Sequence, residues 1–202
     1  MSLRDYIKAL RVGDITNERR KELDPLRREI QSRLAAGKSV RLNFVCTHNS
    51  RRSQFAQVWA HTLAHRHELK GITAISGGTE VTAVHPNTIK TLLNCGFTTE
   101  SEGPAENPVY VFRSEPNIPP LNCYSKLYDC KENLSDDQFI AVMTCARAAD
   151  DCPYIPDAEK RFSMTYDDPG KSDGSDREQE TYEACNKQIA REMLYVLGSE
   201  KE

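Results

Sequence analysis

The alternation of apolar, strand-like runs with helical segments constrains the fold of this chain more than any other feature. Strands are predicted at 40–46, 72–78, 139–145 and 161–166, and helices at 53–70, 85–96 and 175–197. The run "FIAVMTC" at 139–145 is the most apolar in the chain and predicts a central strand buried on both faces. We therefore expect an α/β fold, in which a parallel four-stranded sheet carries helices on both faces.

The N-terminal segment lies outside this alternation. Residues 2–36 have apolar side chains at helical spacing, with one break. Asp24 and Pro25 are a typical pair of N-cap and first-turn residues, which predicts that a helix begins there. We interpret 1–38 as a helical extension of an α/β domain that spans 39–202.

A second irregular segment interrupts the α/β domain. Residues 98–138 are rich in proline, and the runs "PVYVF" and "LNCYSKLY" predict a hairpin at the edge of the sheet. Further along, Ser175 and Glu178 have the spacing of a capping box, which predicts the start of the last helix. The domain is therefore expected to carry an edge-hairpin insertion and to end in a helix.

Composition disfavours several classes of partner. The 202 residues carry a net charge of −3, so no overall positive field attracts nucleic acid or an anionic membrane. No run reaches the roughly 18 apolar residues of a membrane span, and "MSLRDYIKALRVGD" lacks the apolar core of a signal peptide. We therefore expect a cytoplasmic protein whose seven cysteines are free, catalytic or metal-bound rather than paired in structural disulfides.

The stretch "VCTHNSRRS" at 45–53 joins the first predicted strand to a helix, at the end of the sheet where such folds bind ligands. Backbone N–H groups and the helix N-terminus there form an anion site, to which Arg52 adds a guanidinium that matches an oxyanion. The same positive field favours the thiolate form of Cys46. Asn49 suits a left-handed backbone position, and Ser53 can donate a hydrogen bond to the thiolate. The alternative is a buried cysteine followed by solvated arginines. The predicted oxyanion-binding residues are Thr47, His48, Asn49, Ser50, Arg51, Arg52 and Ser53.

Two distant stretches supply groups that such a nucleophile needs. In "YDDPG", Asp168 precedes Pro169 in a loop after a predicted strand, and its carboxyl group can protonate a leaving oxygen. An ordinary Asp-Pro turn is the alternative, and Asp167 competes for the role. In "TCARAADDCP", Cys145 and Cys152 can form a disulfide relay with a reactive thiolate, or can be small apolar core residues.

These motifs, in this order, resemble those of the low-molecular-weight tyrosine phosphatase superfamily. Within it, "CTHNSRRSQFA", "CARAADDCP" and "YDDPGK" are especially similar to the thioredoxin-coupled arsenate reductases, and "ISGGTE" and "HPNTIKTLLNCGF" fit the same family. The similarity covers about 39–97 and 139–197. It implies a phosphatase-like α/β domain and a cysteine-dependent enzyme that acts on an oxyanion.

The resemblance also implies a role for each motif residue. Cys46 would be the nucleophile, Asn49, Arg52 and Ser53 would shape the oxyanion loop, and Asp168 would be the acid. Cys145 would attack the Cys46 adduct, and Cys152 would then draw the disulfide to the surface. Thioredoxin or a similar thiol reductant is the partner that this relay implies.

Two positions depart from the family's pattern. His48 stands where the family usually has glycine, and its ring adds bulk at the rim of the anion site without glycine's freedom at positive φ. Arg51 stands where the family usually has a second cysteine, so it removes a backup thiol and adds positive charge. The segments 1–38 and 98–138 lie outside the resemblance, and the second can cover or reshape the pocket.

The leading interpretation is an arsenate reductase with an internal thiol relay, and a phosphatase acting on phosphotyrosine or a small phosphate ester is the alternative. The phosphatase needs Cys46, Arg52 and Asp168 but has no need of Cys145 and Cys152. A further alternative is a protein that binds phosphate without turnover. The sequence also leaves open whether the protein forms a homodimer.

A metal-dependent regulator or structural module is a third class of function. It would use Cys123, Cys130, Cys145 and Cys152. The six-residue gaps within these pairs exceed the spacing of about two to four residues that is usual in zinc sites. This class is therefore disfavoured. The residues that bind potassium in some of the reductases that the chain resembles are only partly recognisable here, so we assign no metal, and we assign no cofactor.

Overall fold

Four parallel strands form the main sheet of the chain. The computed structural model of the protein describes residues 1–134, 138–146, 155 and 158–198. The strands are β1 (Val40–Cys46), β2 (Ile72–Gly78), β6 (Phe139–Met143) and β7 (Ala158–Ser163). They lie in the order β2-β1-β6-β7, and the register pairs Cys46 with Gly78 and Val45 with Met143. The predicted α/β class with a four-stranded parallel sheet is confirmed.

Five α-helices accompany the sheet in the described part of the chain. They are α1 (Leu3–Lys8), α2 (Asn17–Ala35), α3 (Arg52–Arg66), α4 (Pro86–Asn94) and α5 (Glu178–Leu197). All five contribute to one large apolar cluster that includes Leu42 and Phe44 of β1. The opposite face of the sheet carries a smaller cluster with Val45, Cys46 and Cys145. No described helix has both the length and the apolar character needed to cross a membrane.

The prediction that a helix begins at Asp24 and Pro25 is wrong, because α2 starts earlier and contains Pro25. Thr16 is the N-cap, and its side chain accepts a hydrogen bond from a backbone N–H of the first turn. Proline within a helix removes one backbone hydrogen bond, but packing of the buried side chain of Leu26 and its neighbours compensates for that loss. Asp24 makes a tertiary contact instead, since its carboxylate accepts a hydrogen bond of 2.5 Å from the Tyr195 hydroxyl.

The insertion forms a small sheet of its own rather than a hairpin on the edge of the main sheet. Its strands are β3 (Thr98–Glu102), β4 (Val109–Arg113) and β5 (Leu121–Cys123), paired antiparallel in that order. The chain then reaches β2 through a parallel bridge between Gly78 and Leu127. Glycine is required beside that bridge, because a Cβ atom at Gly77 would lie 2.2 Å from the Cα of Tyr128. The two backbones therefore approach each other closely at the end of β2.

Three elements end or begin away from their predicted limits. Helix α3 ends at Arg66 because Glu68 adopts a positive φ of 54°. Strand β6 ends at Met143, so Cys145 lies just beyond it. Strand β7 begins at Ala158 and ends at Ser163, before the predicted limit at residue 166.

The predicted capping box of Ser175 and Glu178 does not form. Helix α5 begins at Glu178, and its N-cap is Arg177. The hydroxyl of Ser175 donates instead to the carbonyl of Ser172 at 2.6 Å, within the preceding turn. The Glu178 carboxylate accepts a hydrogen bond of 2.7 Å from the N–H of Gly174. The turn before the helix therefore takes both side chains that the capping box would use.

Candidate active site

A short loop between β1 and α3 carries the predicted nucleophile. Cys46 is the last residue of β1, and α3 begins at Arg52. Asn49 adopts a positive φ of 47°, which is the left-handed position predicted for it. The loop lies against the end of β2, where a Cβ atom at Gly78 would come within 2.6 Å of the Thr47 carbonyl oxygen. The glycine thus lets the loop fold back onto the sheet.

The thiol of Cys46 is buried and has two polar neighbours within the loop. The backbone N–H of Asn49 donates to its sulfur at 3.2 Å. The hydroxyl of Ser53 lies 3.1 Å from the same sulfur. Since that hydroxyl already accepts a hydrogen bond of 2.8 Å from the Asn49 amide, its own proton can point at Cys46. Both neighbours can donate a hydrogen bond to this sulfur.

The side chain of Asn49 ties the loop to the sheet and to the insertion. Its amide group donates to the Ser76 hydroxyl at 2.9 Å, and its carbonyl oxygen accepts from the backbone N–H of Lys126 at 3.1 Å. Ser76 in turn donates to Gln57 of α3 at 2.5 Å. No sequence signal pointed to Ser76, Gln57 or Lys126, because they are separated from Asn49 along the chain and carry no motif. The network is buried, so it holds the loop in one conformation.

Arg52 and Asp168 lie together beside the loop. One terminal nitrogen of Arg52 donates to the Asp168 carboxylate at 2.8 Å, and the other donates to the carbonyl of Tyr166 at 3.0 Å. The buried Nε atom of Arg52 has no hydrogen-bond partner among the described residues. The second carboxylate oxygen of Asp168 accepts from the N–H of Gly170 at 3.0 Å. This carboxyl group faces Arg52, whereas the backbone carbonyl of Asp167 faces the thiol of Cys185.

Arg51 turns away from the thiol toward a separate polar cluster. Its Nε donates to the Tyr182 hydroxyl at 2.7 Å, and a terminal nitrogen donates to Asp173 at 2.8 Å. Although burial alone lowers the pKa of Arg51, the hydrogen bond that it donates to Tyr182 and the nearby carboxylates raise that pKa above the ordinary value. The His85 ring stacks on Tyr182. Burial, followed by the charge of Arg51, lowers the pKa of His85. No sequence motif pointed to Tyr182 and Asp173 as partners of Arg51.

The remaining loop residues occupy the rim. The His48 ring is half exposed and lies 3.4 Å from the Glu80 carboxylate, so its bulk is at the rim, as expected. The Ser50 hydroxyl donates to the Ala83 carbonyl at 2.6 Å. One small cavity is lined by Cys46, His48, Ser50, Arg51, Arg52 and Asp168.

A larger groove lies elsewhere, with a volume of about 910 Å³, between β2 and the insertion. It contains Lys126 but none of the residues that line the cavity at Cys46. Burial lowers the pKa of the Lys126 amine. The chemistry of the side chains, rather than the size of the groove, therefore identifies the cavity at Cys46 as the candidate site.

Cys145 lies next to the nucleophile loop. Continuing the register of β1 and β6 places it beside Thr47, and its sulfur is 3.7 Å from the Thr47 hydroxyl. Its side chain is buried in the same apolar cluster as Cys46. Cys152, the second predicted relay residue, lies outside the described residues. The structure therefore brings Cys46 and Cys145 together and leaves the position of Cys152 as a prediction.

The cysteines proposed for a metal module are not clustered within the described part of the chain. Cys123 belongs to the large apolar cluster and Cys145 to the small one on the opposite face. Burial raises the pKa of Cys123 to about 12, so its thiol does not favour the ionised form that binds metal. Among the described residues, no group of three or more His, Cys, Asp or Glu side chains is arranged to hold a metal ion.

The cavity combines the parts needed for nucleophilic attack on an oxyanion. A thiol with two hydrogen-bond donors lies at its base, a guanidinium lies at its side, and a carboxyl group contacts that guanidinium. Arg52 can neutralise a bound anion, and Asp168 can exchange a proton with a leaving oxygen. This chemistry is that of thiol-dependent transfer at a tetrahedral centre.

Comparisons with known proteins agree with this chemistry, although no protein-family model matches the chain. The arsenate reductase of Bacillus licheniformis is 28% identical over 135 residues, which cover 67% of this chain and 78% of that protein. The arsenate reductase of Bacillus subtilis is 29% identical over 135 residues, with coverage of 67% and 78%. A solved low-molecular-weight phosphotyrosine phosphatase from Vibrio cholerae has a TM-score of 0.56 at 14% identity, covering 81% of this chain and 98% of that chain.

Both the fold and the sequence of the chain have known relatives. The solved phosphatase shows the shared fold, and the curated relatives match about two thirds of the chain. The loop from Cys46 to Arg52 lies at the carboxyl end of the parallel sheet, as the sequence motif predicted. The chain therefore has the fold of a low-molecular-weight phosphotyrosine phosphatase and is similar in sequence to arsenate reductases.

Proposed function

We propose that this protein is an arsenate reductase in which Cys46 attacks arsenate and Cys145 completes the reduction. The observation that carries the proposal is the position of Cys145, whose sulfur lies 3.7 Å from the hydroxyl of Thr47, the residue after the nucleophile. A second thiol beside the first is needed for reduction but not for hydrolysis. The curated relatives named arsenate reductase support the same choice.

Binding begins with exchange of partners at Arg52. In the structure its guanidinium is paired with Asp168, at 2.8 Å. An entering arsenate dianion can take over one donor of that fork and use the buried Nε atom, which has no described partner. Backbone N–H groups at the start of α3 add a positive field. The anion is thus held above the sulfur of Cys46.

The first chemical step is displacement at arsenic. The Cys46 thiolate forms an S–As bond, and one arsenate oxygen leaves as water after Asp168 has supplied a proton. The Asn49 N–H and the Ser53 hydroxyl stabilise the thiolate before attack. Arsenic is still in its pentavalent state after this step.

Reduction follows when a second thiolate attacks. Cys145 attacks the sulfur of Cys46, so an S–S bond forms and the S–As bond breaks with its electron pair going to arsenic. Arsenic leaves as trivalent arsenite, and the two thiols have become one disulfide. Attack of Cys152 on Cys145 then releases Cys46, and a cytoplasmic dithiol such as thioredoxin reduces the last disulfide.

A phosphatase is the second candidate function. The arrangement of Cys46, Arg52 and Asp168 supports it, because attack on phosphorus and protonation of the leaving oxygen require only these groups. The substrate would then be phosphotyrosine or a small phosphate ester. A buried thiol at Cys145 would have no part in that reaction.

One pair of assays distinguishes the two functions. Purified protein is given arsenate with thioredoxin, thioredoxin reductase and NADPH, and separately an aryl phosphate. We expect NADPH oxidation that depends on arsenate and is lost in Cys46→Ser and Cys145→Ser. Cys130→Ser is the matched control, because Cys130 is partly exposed and lies outside the cavity at Cys46. Hydrolysis of the aryl phosphate without arsenate-dependent oxidation would instead establish the phosphatase.

A further inference from the structure

Arg51 lines the cavity at Cys46 but has no part in the proposed reaction. It stands directly before Arg52, yet its side chain leaves the thiol and reaches the turn that carries Asp168. We propose that Arg51 is a positioning residue that holds this turn, residues 166–173, against the nucleophile loop. The inference rests on the proposed function for its kinetic consequences and on the described contacts for its geometry.

The first contact consists of two hydrogen bonds that the Arg51 guanidinium donates to two different side chains. Arg51 donates from Nε to the Tyr182 hydroxyl at 2.7 Å and from a terminal nitrogen to Asp173 at 2.8 Å. Tyr182 donates to the other oxygen of Asp173 at 2.9 Å, which closes a ring of three groups. The side chain of Tyr182 is buried in α5, so the ring is anchored to the core. A guanidinium held in this way cannot swing freely.

The second contact is with Gly170, two residues after Asp168. A Cβ atom at Gly170 would lie 2.8 Å from the central carbon of the Arg51 guanidinium. The guanidinium therefore packs directly on the backbone of the turn, and glycine is the residue that permits this. Because the N–H of Gly170 donates to Asp168 at 3.0 Å, the position of Gly170 sets the orientation of that carboxyl group.

The two consecutive arginines contact different parts of the turn. Arg52 holds Asp168 and the carbonyl of Tyr166 in the structure, whereas Arg51 holds Asp173 at the other end of the turn. An oxyanion that binds Arg52 competes with Asp168 for the same guanidinium. Once that ion pair is weakened, the contacts of Arg51 keep the turn, and with it the acid, over Cys46.

This arrangement predicts a selective kinetic defect. Positioning errors near 1 Å can cost roughly 100-fold in rate, so loss of the two-point contact should lower kcat by about tenfold. Inorganic phosphate should still bind with a Kd within about threefold of the wild type, because the charge of Arg51 is already paired with Asp173. KM for arsenate should change as little as Kd.

The experiment is a double-mutant cycle with Arg51→Gln and Asp168→Asn in the full chain. If Arg51 acts through Asp168, Arg51→Gln should lower kcat about tenfold in the wild-type background. In the Asp168→Asn background it should lower kcat by less than about twofold. An equal loss in both backgrounds would overturn the proposal. Arg51→Lys should behave like Arg51→Gln, since lysine keeps the charge but not the fork. Full activity in Arg51→Lys would also overturn it.

Two further variants guard against simple loss of folding. Tyr182→Phe removes only the hydroxyl that Arg51 contacts, and Gly170→Ala displaces the guanidinium. Both variants should show the same loss in kcat and should still unfold cooperatively. Arg113→Gln is the matched control, because Arg113 lies on β4 with a long 3.8 Å contact to Glu100. Wild-type kcat in both Tyr182→Phe and Gly170→Ala would contradict the proposal.

Hydrogen exchange separates failure of this inference from failure of the proposed function. The amide of Gly170 should exchange faster in Arg51→Gln and Tyr182→Phe than in the wild type, whether or not arsenate is the substrate. Unchanged exchange at that amide would overturn the positioning role. Faster exchange in a protein that reduces no arsenate would support the role and refute the reductase.

Discussion

The hydroxyl of Ser53 lies 3.1 Å from the sulfur of Cys46 and accepts a hydrogen bond from Asn49 at 2.8 Å. With one acceptor position filled by the amide, the Ser53 hydroxyl can donate its proton to the sulfur. In this way a residue of the first turn of α3 contacts the thiol at the end of β1, and we expect this contact to assist the step in which the thiol attacks. These contacts join helix, strand and loop, and substitution of Ser53 tests their effect directly.

Ser53→Ala should lower the rate of the step that uses the thiolate. Loss of a hydrogen bond worth roughly 1–2 kcal/mol corresponds to a decrease of about 5- to 30-fold in kcat/KM. The measurement is arsenate-dependent turnover together with the rate of Cys46 alkylation by iodoacetamide as a function of pH. Ser32→Ala, at an exposed position of α2, is the control. Alkylation profiles that coincide in Ser53→Ala and wild type would contradict this role.

Local sequence signals predicted the parts of the fold that local physics decides. Strands β1 and β2 and the start of α4 at Pro86 lie where apolar runs and a first-turn proline placed them. The positive φ of Asn49 was likewise predictable, since asparagine tolerates that conformation. In each case the deciding residues are neighbours along the chain.

Tertiary contacts decided the rest. Pro25 lies inside α2 because packing of the helix outweighs the lost backbone hydrogen bond, and no local rule weighs those two energies. The contact of Arg51 with Tyr182 joins residues 131 positions apart, so no motif spacing could reveal it. The role of Arg51 became visible only when the turn after Asp168 was placed against the loop.

The division into an extension at 1–38 and a domain at 39–202 stays a prediction, and the burial of Leu26 allows a test. Leu26 is 1% exposed and belongs to the same apolar cluster as β1. Leu26→Ala should reduce the free energy of unfolding by about 2–5 kcal/mol, measured by urea denaturation. A chain that begins at Ser39 should fail to unfold cooperatively.

The control for this prediction is Leu93→Ala, since Leu93 is 42% exposed and its truncation should change stability by about 0.5 kcal/mol or less. If the chain from Ser39 folds stably, the first 38 residues are dispensable for packing. Their assignment as a structural segment would then be wrong.

Stability should depend on pH through His85. Burial, followed by the charge of Arg51, lowers the pKa of His85, while the carboxylates of Asp173, Glu178 and Asp168 oppose the shift. Below a pH of about 6.5 the unfolded chain binds a proton that folded His85 does not, so stability falls as the pH drops through that value. His85→Asn keeps a capping acceptor for α4 but cannot titrate in this range.

The test compares the free energies of unfolding of wild type and His85→Asn between pH 5 and pH 8, a range of about three units around the ordinary histidine pKa. The wild type should lose more stability than the variant on the acidic side, and the two slopes should agree above neutral pH. Parallel curves across the whole range would show that His85 does not contribute.

The most direct test of the account is the identity of the disulfide that arsenate produces. Cys152→Ser is incubated with an excess of arsenate and no reductant, and the bridged peptides are identified by mass spectrometry. We expect one arsenite per chain and a disulfide between Cys46 and Cys145, whose side chains share one apolar cluster. Hydrolysis of an aryl phosphate, if the protein has that activity, should survive the substitution. Arsenate left unreduced, or sustained turnover with thioredoxin in Cys152→Ser, would contradict the thiol relay.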